Sequence, residues 1–320
     1  MSTQAPTATA RDSNLTIEIG LLLLLSLIWG SSFTLIKVAV DTIPPLTMIA
    51  VRVTIAAILL TLIAATRGLA LPRQGSEWAA LFVQGLLQSA LPFLLISWGE
   101  THIASGLAGV LNATPPMFVL LIATMTARGR QTISVEKIMG VGLGLAGVAM
   151  TMGTEALRGA GTAAPLAQAA VLGASLCYAL APIFGQRFSN RPAIVTAAGA
   201  MSCAAILMLP AAIVIERPWT LAPTSQAVAA VLVLSVPCTA IAMVIYFRLI
   251  RTLGALGTTS GSYLRAGFAV ALGVACLGES FTGISVLGMV LVVAGVVAVT
   301  ASRGPAVPFP SGRNGAKPAA

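Results

Sequence analysis

The feature that most constrains this chain is a pair of similar apolar series, the second following the first at a constant spacing. Pro44 is matched by Pro192, 148 residues later (192 − 44). The run 56–58 (Ala-Ala-Ile) is matched in the same way by the run 204–206. We therefore predict that the chain contains two copies of one unit. The glycine pairs that share this spacing are Gly106 and Gly254, Gly109 and Gly257, Gly140 and Gly288, and Gly147 and Gly295.

The chain is too apolar and too poor in charge to fold as a water-soluble domain. Of its 320 residues, 57% are hydrophobic and 8% are charged, whereas about 25% of the residues in a soluble domain are charged. The apolar runs are continuous rather than alternating, which favours transmembrane helices over a β-barrel. We predict an all-α polytopic membrane protein. Its ten transmembrane helices are expected at residues 17–38, 45–66, 78–97, 104–126, 137–153, 166–186, 193–215, 227–249, 254–277 and 283–302.

These spans divide the chain into five predicted regions. Residues 1–16 form a polar, disordered leader, and 17–153 form the first five-helix copy. An outer connecting loop, 154–165, leads to the second copy, 166–302. The tail, 303–320, is rich in Pro, Gly and Ser and is predicted to be disordered.

The loop charges predict the orientation of the spans, because Lys and Arg concentrate on the cytoplasmic side. With the N-terminus inside, thirteen basic residues fall inside, while Arg158 and Arg217 fall outside and Lys37 lies near the outer edge. We therefore predict a multi-pass protein of the cell inner membrane with both termini cytoplasmic. Because each copy has five spans, the second copy is upside down relative to the first. Two inverted five-helix repeats are typical of alternating-access transporters.

Other classes of function receive little support from the sequence. The net charge of +9 is spread singly over short loops, so no nucleic-acid-binding surface is predicted. The four cysteines lie in apolar runs without a CxxC pair, so we predict neither a disulfide framework nor a metal site. No catalytic constellation or cofactor motif is present, and an enzyme is not predicted. The acidic residues lie near span ends, so no carboxylate is predicted within the membrane.

Two arginines lie within predicted spans and are the first candidates for a binding site. A charge at membrane depth costs about 2.5–3.5 kcal/mol on insertion scales, so Arg52 and Arg265 should each face a cavity or a partner. Arg265 is the deeper of the two, and Ser262 lies one turn before it. We favour a fork that binds a substrate carboxylate or phosphate for Arg265. For Arg52 we favour a structural pair or a snorkelling side chain.

Further polar groups within the spans are candidates for the lining of a cavity. Trp29 and Ser32 flank a Gly-Ser break in the first span, and Tyr178 lies at the depth of Gly30 in the second copy. Each group alone is also compatible with ordinary interhelical packing. The remaining candidates are Gln88, which shares one face of the third span with Gln84; Asn112, close to the helix break at Pro115-Pro116; and Tyr263.

These features resemble the EamA-type transporters of the drug/metabolite transporter superfamily. The resemblance covers about residues 17–302 and depends on the order and spacing of short motifs. They are Trp29-Gly30-Ser31-Ser32-Phe33, Pro44-Pro45 followed by Arg52, and Leu277-Gly278-Glu279 followed by Gly288 and Gly295. The resemblance implies ten helices around a central cavity and the export or uptake of small metabolites. Family members often carry a proline shortly after a Tyr-Leu pair, where this chain has Arg265.

The sequence therefore predicts a secondary transporter that exports amino acids or related carboxylates. The alternatives are a cationic-drug efflux protein, which would need a carboxylate within the membrane, and a membrane enzyme or structural membrane protein. The predicted partners are a small-molecule substrate and the lipid bilayer. The glycine-rich faces of the fifth and tenth spans are packing surfaces, either between the two copies or between two protomers of a homodimer.

Overall fold

The computed structural model describes residues 8–126, 135–157, 163–253, 258 and 261–301, and the regular structure among these residues is helical. Single 3₁₀ turns follow α8 and α9, at Gln186–Phe188 and Pro218–Thr220. The helices, in chain order, are α1 (Ala8–Val40), α2 (Pro45–Thr66), α3 (Gly75–Gly85), α4 (Leu91–Glu100), α5 (Ser105–Leu111), α6 (Pro115–Thr126), α7 (Val135–Leu157), α8 (Ala163–Gly185), α9 (Ala193–Ile215), α10 (Ser225–Ser235), α11 (Ala242–Thr252), α12 (Ser262–Leu277) and α13 (Gly283–Ala301).

In the described part of the chain, seven stretches are long and apolar enough to cross a membrane, which indicates a polytopic membrane protein. A helix is the structure expected there, because it satisfies its own backbone hydrogen bonds without water. Three shorter apolar stretches, 138–147, 264–277 and 283–295, fall in the fifth, ninth and tenth predicted spans. The seven longer stretches cover 16–40, 45–66, 75–100, 105–122, 163–188, 193–215 and 225–252.

The first helix begins earlier than the sequence predicted. Residues 8–16, assigned to a disordered leader, are helical and continue into the membrane span. This segment contains neither proline nor glycine, so nothing in it stops the helix from extending outward. Residues 1–7, 158–162 and 303–320, which belong to the predicted leader, outer loop and tail, lie outside the described residues.

Two membrane helices contain a widened, π-helical turn. The first, Leu86–Ala90, joins α3 to α4, and the second, Val236–Ile241, joins α10 to α11. Both occur beside a proline, Pro92 and Pro237 respectively. In the second turn the Thr239 hydroxyl donates to the Leu234 carbonyl at 2.7 Å. Such turns leave backbone groups free for side chains of other helices and are common at functional sites.

A third helix is interrupted where the sequence has two consecutive prolines. α5 ends at Leu111 and α6 begins at Pro115, so the Asn112–Thr114 segment lies outside both helices. This confirms a helix break beside Asn112. It also leaves the Asn112 carbonyl available to a neighbour, because Pro116 has no backbone N–H to occupy it.

The two copies pack against each other through equivalent helices. α2 packs on α9 and α7 packs on α13. In the same way α1 contacts α10 and α12, while α8 contacts α4 and α5. The first residues of α2 and α9, at 45 and 193, are separated by the 148 residues found in the sequence, as are those of α7 and α13, at 135 and 283.

Glycines form the contact between α7 and α13 in a reciprocal way. A Cβ atom on Gly147 would lie 2.5 Å from the Gly288 carbonyl oxygen, and one on Gly295 would collide with the Gly140 carbonyl. Gly140 corresponds to Gly288 and Gly147 to Gly295 by the spacing of 148. The glycines of the fifth and tenth spans thus let the two copies of one chain approach closely.

Four carboxylates link the first copy to the second at the ends of the bundle. We call the end where α1 begins the N-terminal face. There Glu18 binds Arg248 at 2.8 Å and Glu77 binds Arg191. At the opposite face, Glu279 accepts hydrogen bonds from the backbone N–H groups of Ser105 and Gly106, and Glu216 accepts from those of Leu46 and Thr47.

Candidate functional site

Two adjoining cavities lie between the copies, in the middle of the bundle. The first has about 430 Å³ of space and the second about 320 Å³, including the part that is open to solvent. Trp29 of α1, Tyr178 of α8 and Arg265 of α12 line both cavities. We call these two spaces, together with their lining, the central site.

Arg265 is the charged group that both cavities share. Its side chain is 7% exposed. One terminal nitrogen donates to the Asn112 carbonyl at 2.7 Å and to the Ser262 hydroxyl at 3.4 Å. Its Nε–H is buried without a partner. A guanidinium with a free donor beside a cavity can bind an anionic or carbonyl oxygen there.

Aromatic rings surround this guanidinium. Its central carbon lies 5.8 Å from the centre of the Trp29 ring and 5.7 Å from that of Tyr178. The Trp29 indole donates to the Cys238 carbonyl at 3.2 Å and its ring tilts against Tyr246, with the centroids 5.6 Å apart. The Tyr246 hydroxyl is buried without a partner. The rings therefore provide apolar faces for a ligand and hold the cation in place.

Arg52 lines the second cavity but is held more fully by the protein. It is 2% exposed, and its Nε donates to the Thr239 hydroxyl at 2.6 Å. A terminal nitrogen lies 3.4 Å from the Cys238 carbonyl, and the guanidinium stacks 3.9 Å above the centre of the Phe93 ring. The groups that hold Arg52 are therefore a hydroxyl, a helix carbonyl and an aromatic ring.

Two helices begin at the first cavity. Pro115, the first residue of α6, and Ser262, the first residue of α12, both line it. The start of a helix has a partial positive charge, although the first two residues of α6, Pro115 and Pro116, provide no N–H donor. Gln88 in the first π-helical turn also lines this cavity, and its side-chain oxygen is buried without a partner. The lining therefore offers positive charge and a free acceptor to a ligand.

The structure gathers most of the residues predicted from the sequence at the central site. Ser32 and Asn112 line the second cavity; the Ser32 hydroxyl donates to its own helix, and the Asn112 amide donates to Ser175 at 3.3 Å. The side chain of Tyr263 lies outside the described residues. The predicted residues that line one or both cavities are Trp29, Ser32, Arg52, Gln88, Asn112, Tyr178, Ser262 and Arg265.

The prediction that Gln84 and Gln88 share one face stays a prediction. Gln88 lines the first cavity together with Tyr178 of α8, and Gln84 is buried against Gly185 of the same helix, whose Cβ position would lie 3.4 Å from the glutamine oxygen.

Sequence reasoning missed several residues that hold the site. Phe93 stacks on Arg52 and Thr239 accepts a hydrogen bond from it. The Cys238 carbonyl accepts hydrogen bonds from both Arg52 and Trp29. Tyr246, which lines the first cavity, is also absent from the predicted site residues. Pro92 and Pro237 were the available signals, because a proline within a membrane helix marks a place where backbone carbonyls become free.

Carboxylates do not line either cavity within the described part of the chain. One acidic residue near a span end, Glu100, is nevertheless buried inside the bundle. This residue ends α4 and is 0% exposed. It is buried because the turn after it leads directly into α5, whose first residue, Ser105, is buried as well.

A model of the EamA-like transporter family matches residues 16–153 and 166–301 of the chain. The uncharacterized inner membrane transporter YedA of Escherichia coli K12 is 30% identical over 285 residues, which cover 89% of this chain and 90% of YedA. The uncharacterized transporter YoaV of Bacillus subtilis is 26% identical, with 85% and 92% of the two chains covered.

One relative carries a more specific name. A probable terminal-alkyne amino-acid exporter of Streptantibioticus cattleyicolor is 26% identical over 273 residues, which cover 85% of this chain and 89% of the relative. A crystal structure with 19% sequence identity superposes with a TM-score of 0.62 and covers 89% of this chain and 97% of its own. That likeness concerns the fold alone.

Proposed function

The chain belongs to the EamA-like transporter family and is a membrane transporter, and from this premise we propose that it exports amino acids or related small carboxylates across the inner membrane. Transport is by alternating access, with the substrate bound at the central site between the two copies.

The observation that carries this proposal is the free Nε–H of Arg265. The guanidinium is already held by Asn112 and Ser262, so its orientation is set before a ligand arrives. The starts of α6 and α12 lie at the same cavity and add partial positive charge. A carboxylate is the small anionic group that such a fork and two helix starts would bind.

The aromatic walls favour a substrate with an apolar part. Trp29, Tyr178 and Tyr246 offer ring faces, while the unpartnered Tyr246 hydroxyl and Gln88 oxygen offer polar contacts. The Gln88 oxygen can accept a hydrogen bond from an ammonium group. An amino acid combines these features, and one relative is named as an exporter of an amino acid.

A cationic drug is the competing substrate class from the sequence. The aromatic rings could attract a cation, but Arg265 lies beside them and both described linings lack a carboxylate. A bound cation would therefore face an unneutralised like charge in a site with little water, which disfavours binding.

We further propose ten spans arranged as two inverted repeats, with both termini cytoplasmic. The reciprocal contacts of Gly147 with Gly288 and of Gly295 with Gly140 support this arrangement. They make α7 antiparallel to its equivalent, α13, as a two-fold axis in the membrane plane requires. The excess of Lys and Arg in the loops of one side supports the orientation.

Transport of radiolabelled amino acids into proteoliposomes, comparing wild type with Arg265→Ala, tests the substrate class. Losing a charge-assisted hydrogen bond costs about 1.5–3 kcal/mol, which corresponds to a loss of roughly 10- to 150-fold in apparent affinity. The matched control is Arg187→Ala, because Arg187 is exposed and stacks on Phe184 away from both cavities. It should transport like wild type.

A panel of cationic compounds in the same vesicles separates the two substrate classes. If the vesicles transport amino acids and the Arg265→Ala variant transports them less well, the proposal is supported. Transport of cations alone, or amino-acid transport that is unchanged in Arg265→Ala, contradicts it.

A further inference from the structure

Among the described residues, one fully buried carboxylate makes no hydrogen bond. Glu100, the last residue of α4, is 0% exposed, and both of its carboxylate oxygens lack a partner. Glu18, Glu77, Glu216 and Glu279, in contrast, each bind a donor of the other copy. Glu100 is thus not explained by the links that hold the copies together.

The nearest cation is directed at the backbone of Glu100 rather than at its carboxylate. Lys37 of α1 donates from Nζ to the Glu100 carbonyl at 2.6 Å and to the Ile103 carbonyl at 2.9 Å. An ammonium group has three N–H donors. A small change in the position of α1 against the end of α4 would therefore let Lys37 reach the carboxylate.

The other helices around Glu100 contribute few charges. Arg52 of α2 and Glu279, which precedes α13, interact with it electrostatically. α5 contributes Ser105 and α8 contributes Gln168. Gln168 lies two turns before Ser175, on the face of α8 that packs on α5. Ser105 and Gln168 are both 0% exposed and have side-chain atoms without a hydrogen-bond partner. His102, in the turn after α4, is exposed and bonds to Thr101 and Trp98.

An ionised carboxylate is unfavourable in such a place, because it has lost its water and gained no hydrogen bond. A neutral carboxyl group costs far less. We propose that Glu100 is a proton-binding site of the transport cycle, neutral in the arrangement described here and ionised beside Lys37 when that end of the bundle opens. On ionisation the O–H bond breaks, the proton passes to water, and the carboxylate charge is balanced by the Lys37 ammonium.

The position of Glu100 links this proton to the central site. Ile96, one turn before Glu100, and Ile36, next to Lys37, both line the second cavity, as does Arg52. A negative charge on Glu100 opposes the positive field that attracts a carboxylate. Protonation of Glu100 therefore favours binding of a carboxylate substrate, and by reciprocity the substrate favours the proton. This second step depends on the proposed substrate class, whereas the proton site does not.

Infrared difference spectroscopy of the purified protein during a pH titration tests the proton site without any substrate. A carboxyl group that makes no hydrogen bond gives a C=O stretching band at unusually high frequency. We expect wild type to show such a band, and Glu100→Gln to lose it. Glu136→Gln is the matched control, because Glu136 is exposed at the start of α7 and should leave the band unchanged.

Glu100→Asp keeps a carboxyl group and should retain a titrating band at a shifted frequency, which covers the case in which Glu100→Gln fails to fold. A wild-type spectrum without the band, or a band that persists in folded Glu100→Gln, overturns the proton site.

The link to the substrate is then measured with the amino acid that passes the transport test. Its apparent affinity should change on the order of tenfold with pH in wild type, a coupling in the range usual for linked sites, and should be independent of pH in Glu100→Gln. Equal pH dependence in both proteins overturns the link and leaves the infrared result intact. If no amino acid is transported, the infrared bands alone decide the proton site.

Discussion

Replacing Thr239 with valine should destabilise the protein through Arg52, a residue on another helix. The Thr239 hydroxyl donates to the Leu234 carbonyl at 2.7 Å and accepts from Arg52 Nε at 2.6 Å. Valine has nearly the shape of threonine but neither of these bonds. The substitution therefore removes an acceptor from a guanidinium that is 2% exposed.

The expected cost follows from what remains around Arg52. A hydrogen bond to a charged group contributes about 1.5–3 kcal/mol. Arg52 keeps its stacking on Phe93 and the more distant Cys238 carbonyl, at 3.9 Å and 3.4 Å. We therefore expect the lower part of that range, about 1.5–2 kcal/mol. The lost bond to Leu234 adds about 0.6 kcal/mol, the average for side-chain bonds within membranes.

A double-mutant cycle isolates the contact between Thr239 and Arg52. Equilibrium unfolding in mixed micelles of dodecylmaltoside and sodium dodecyl sulfate gives the free energy of unfolding of four proteins: wild type, Thr239→Val, Arg52→Met and the double mutant. In the Arg52→Met background, Thr239→Val should cost only the bond to Leu234. The coupling energy between the two positions should be about 1.5–2 kcal/mol.

Two controls belong to this experiment. Thr239→Ser keeps the hydroxyl and should show most of the wild-type stability. Thr54→Val removes a buried hydroxyl of α2 that has no partner, and should cost little. A coupling energy below about 0.5 kcal/mol, the usual error of additivity, would refute the idea that Thr239 holds Arg52.

Two further predictions concern glycines. Gly147→Ala should destabilise the protein by about 1–3 kcal/mol, because the new Cβ would lie 2.5 Å from the Gly288 carbonyl oxygen. Gly142→Ala on the same helix meets nothing within 4 Å and should be neutral or stabilising. Equal thermal stability of the two variants would contradict the close approach of α7 and α13. Gly278→Ala should lower the free energy of unfolding by about 1 kcal/mol, because Gly278 ends α12 with a φ of 65°. Gly283→Ala, with open space around the new Cβ, should leave it unchanged. Coinciding unfolding curves of the two variants would show that the left-handed cap is not needed.

The sequence predicted the long membrane helices, and it singled out Arg265 as a candidate, for clear physical reasons. Continuous apolar runs can only be satisfied in a bilayer by helices, so their positions follow from hydropathy. Arg265 was identified because a charge deep in a membrane requires a cavity or a partner. Tyr178 was found because the spacing of 148 residues places it at the depth of the break beside Trp29.

The remaining features depend on contacts between distant parts of the chain. Thr239 lies in a π-helical turn where it accepts a hydrogen bond from Arg52, and no periodic pattern in the sequence predicts such a turn. From the sequence, Glu100 is expected at the edge of a short loop. Its burial results from the packing of α4 against α1, α5 and α8, which is a property of the assembled bundle.

Each copy supplies two of the four carboxylates that link the copies, and each pair lies at one end of the bundle. Glu18 and Glu77 act at the N-terminal face and come from the first copy, whereas Glu216 and Glu279 act at the opposite face and come from the second. Each side of the protein thus has its own pair of linking carboxylates. Under the alternating access proposed above, a substitution in one pair would change the resting ratio of the two access states by about tenfold for every 1.4 kcal/mol. We therefore expect that single acidic residues at a distance from the cavity set the direction in which the empty protein faces, separately from the choice of substrate.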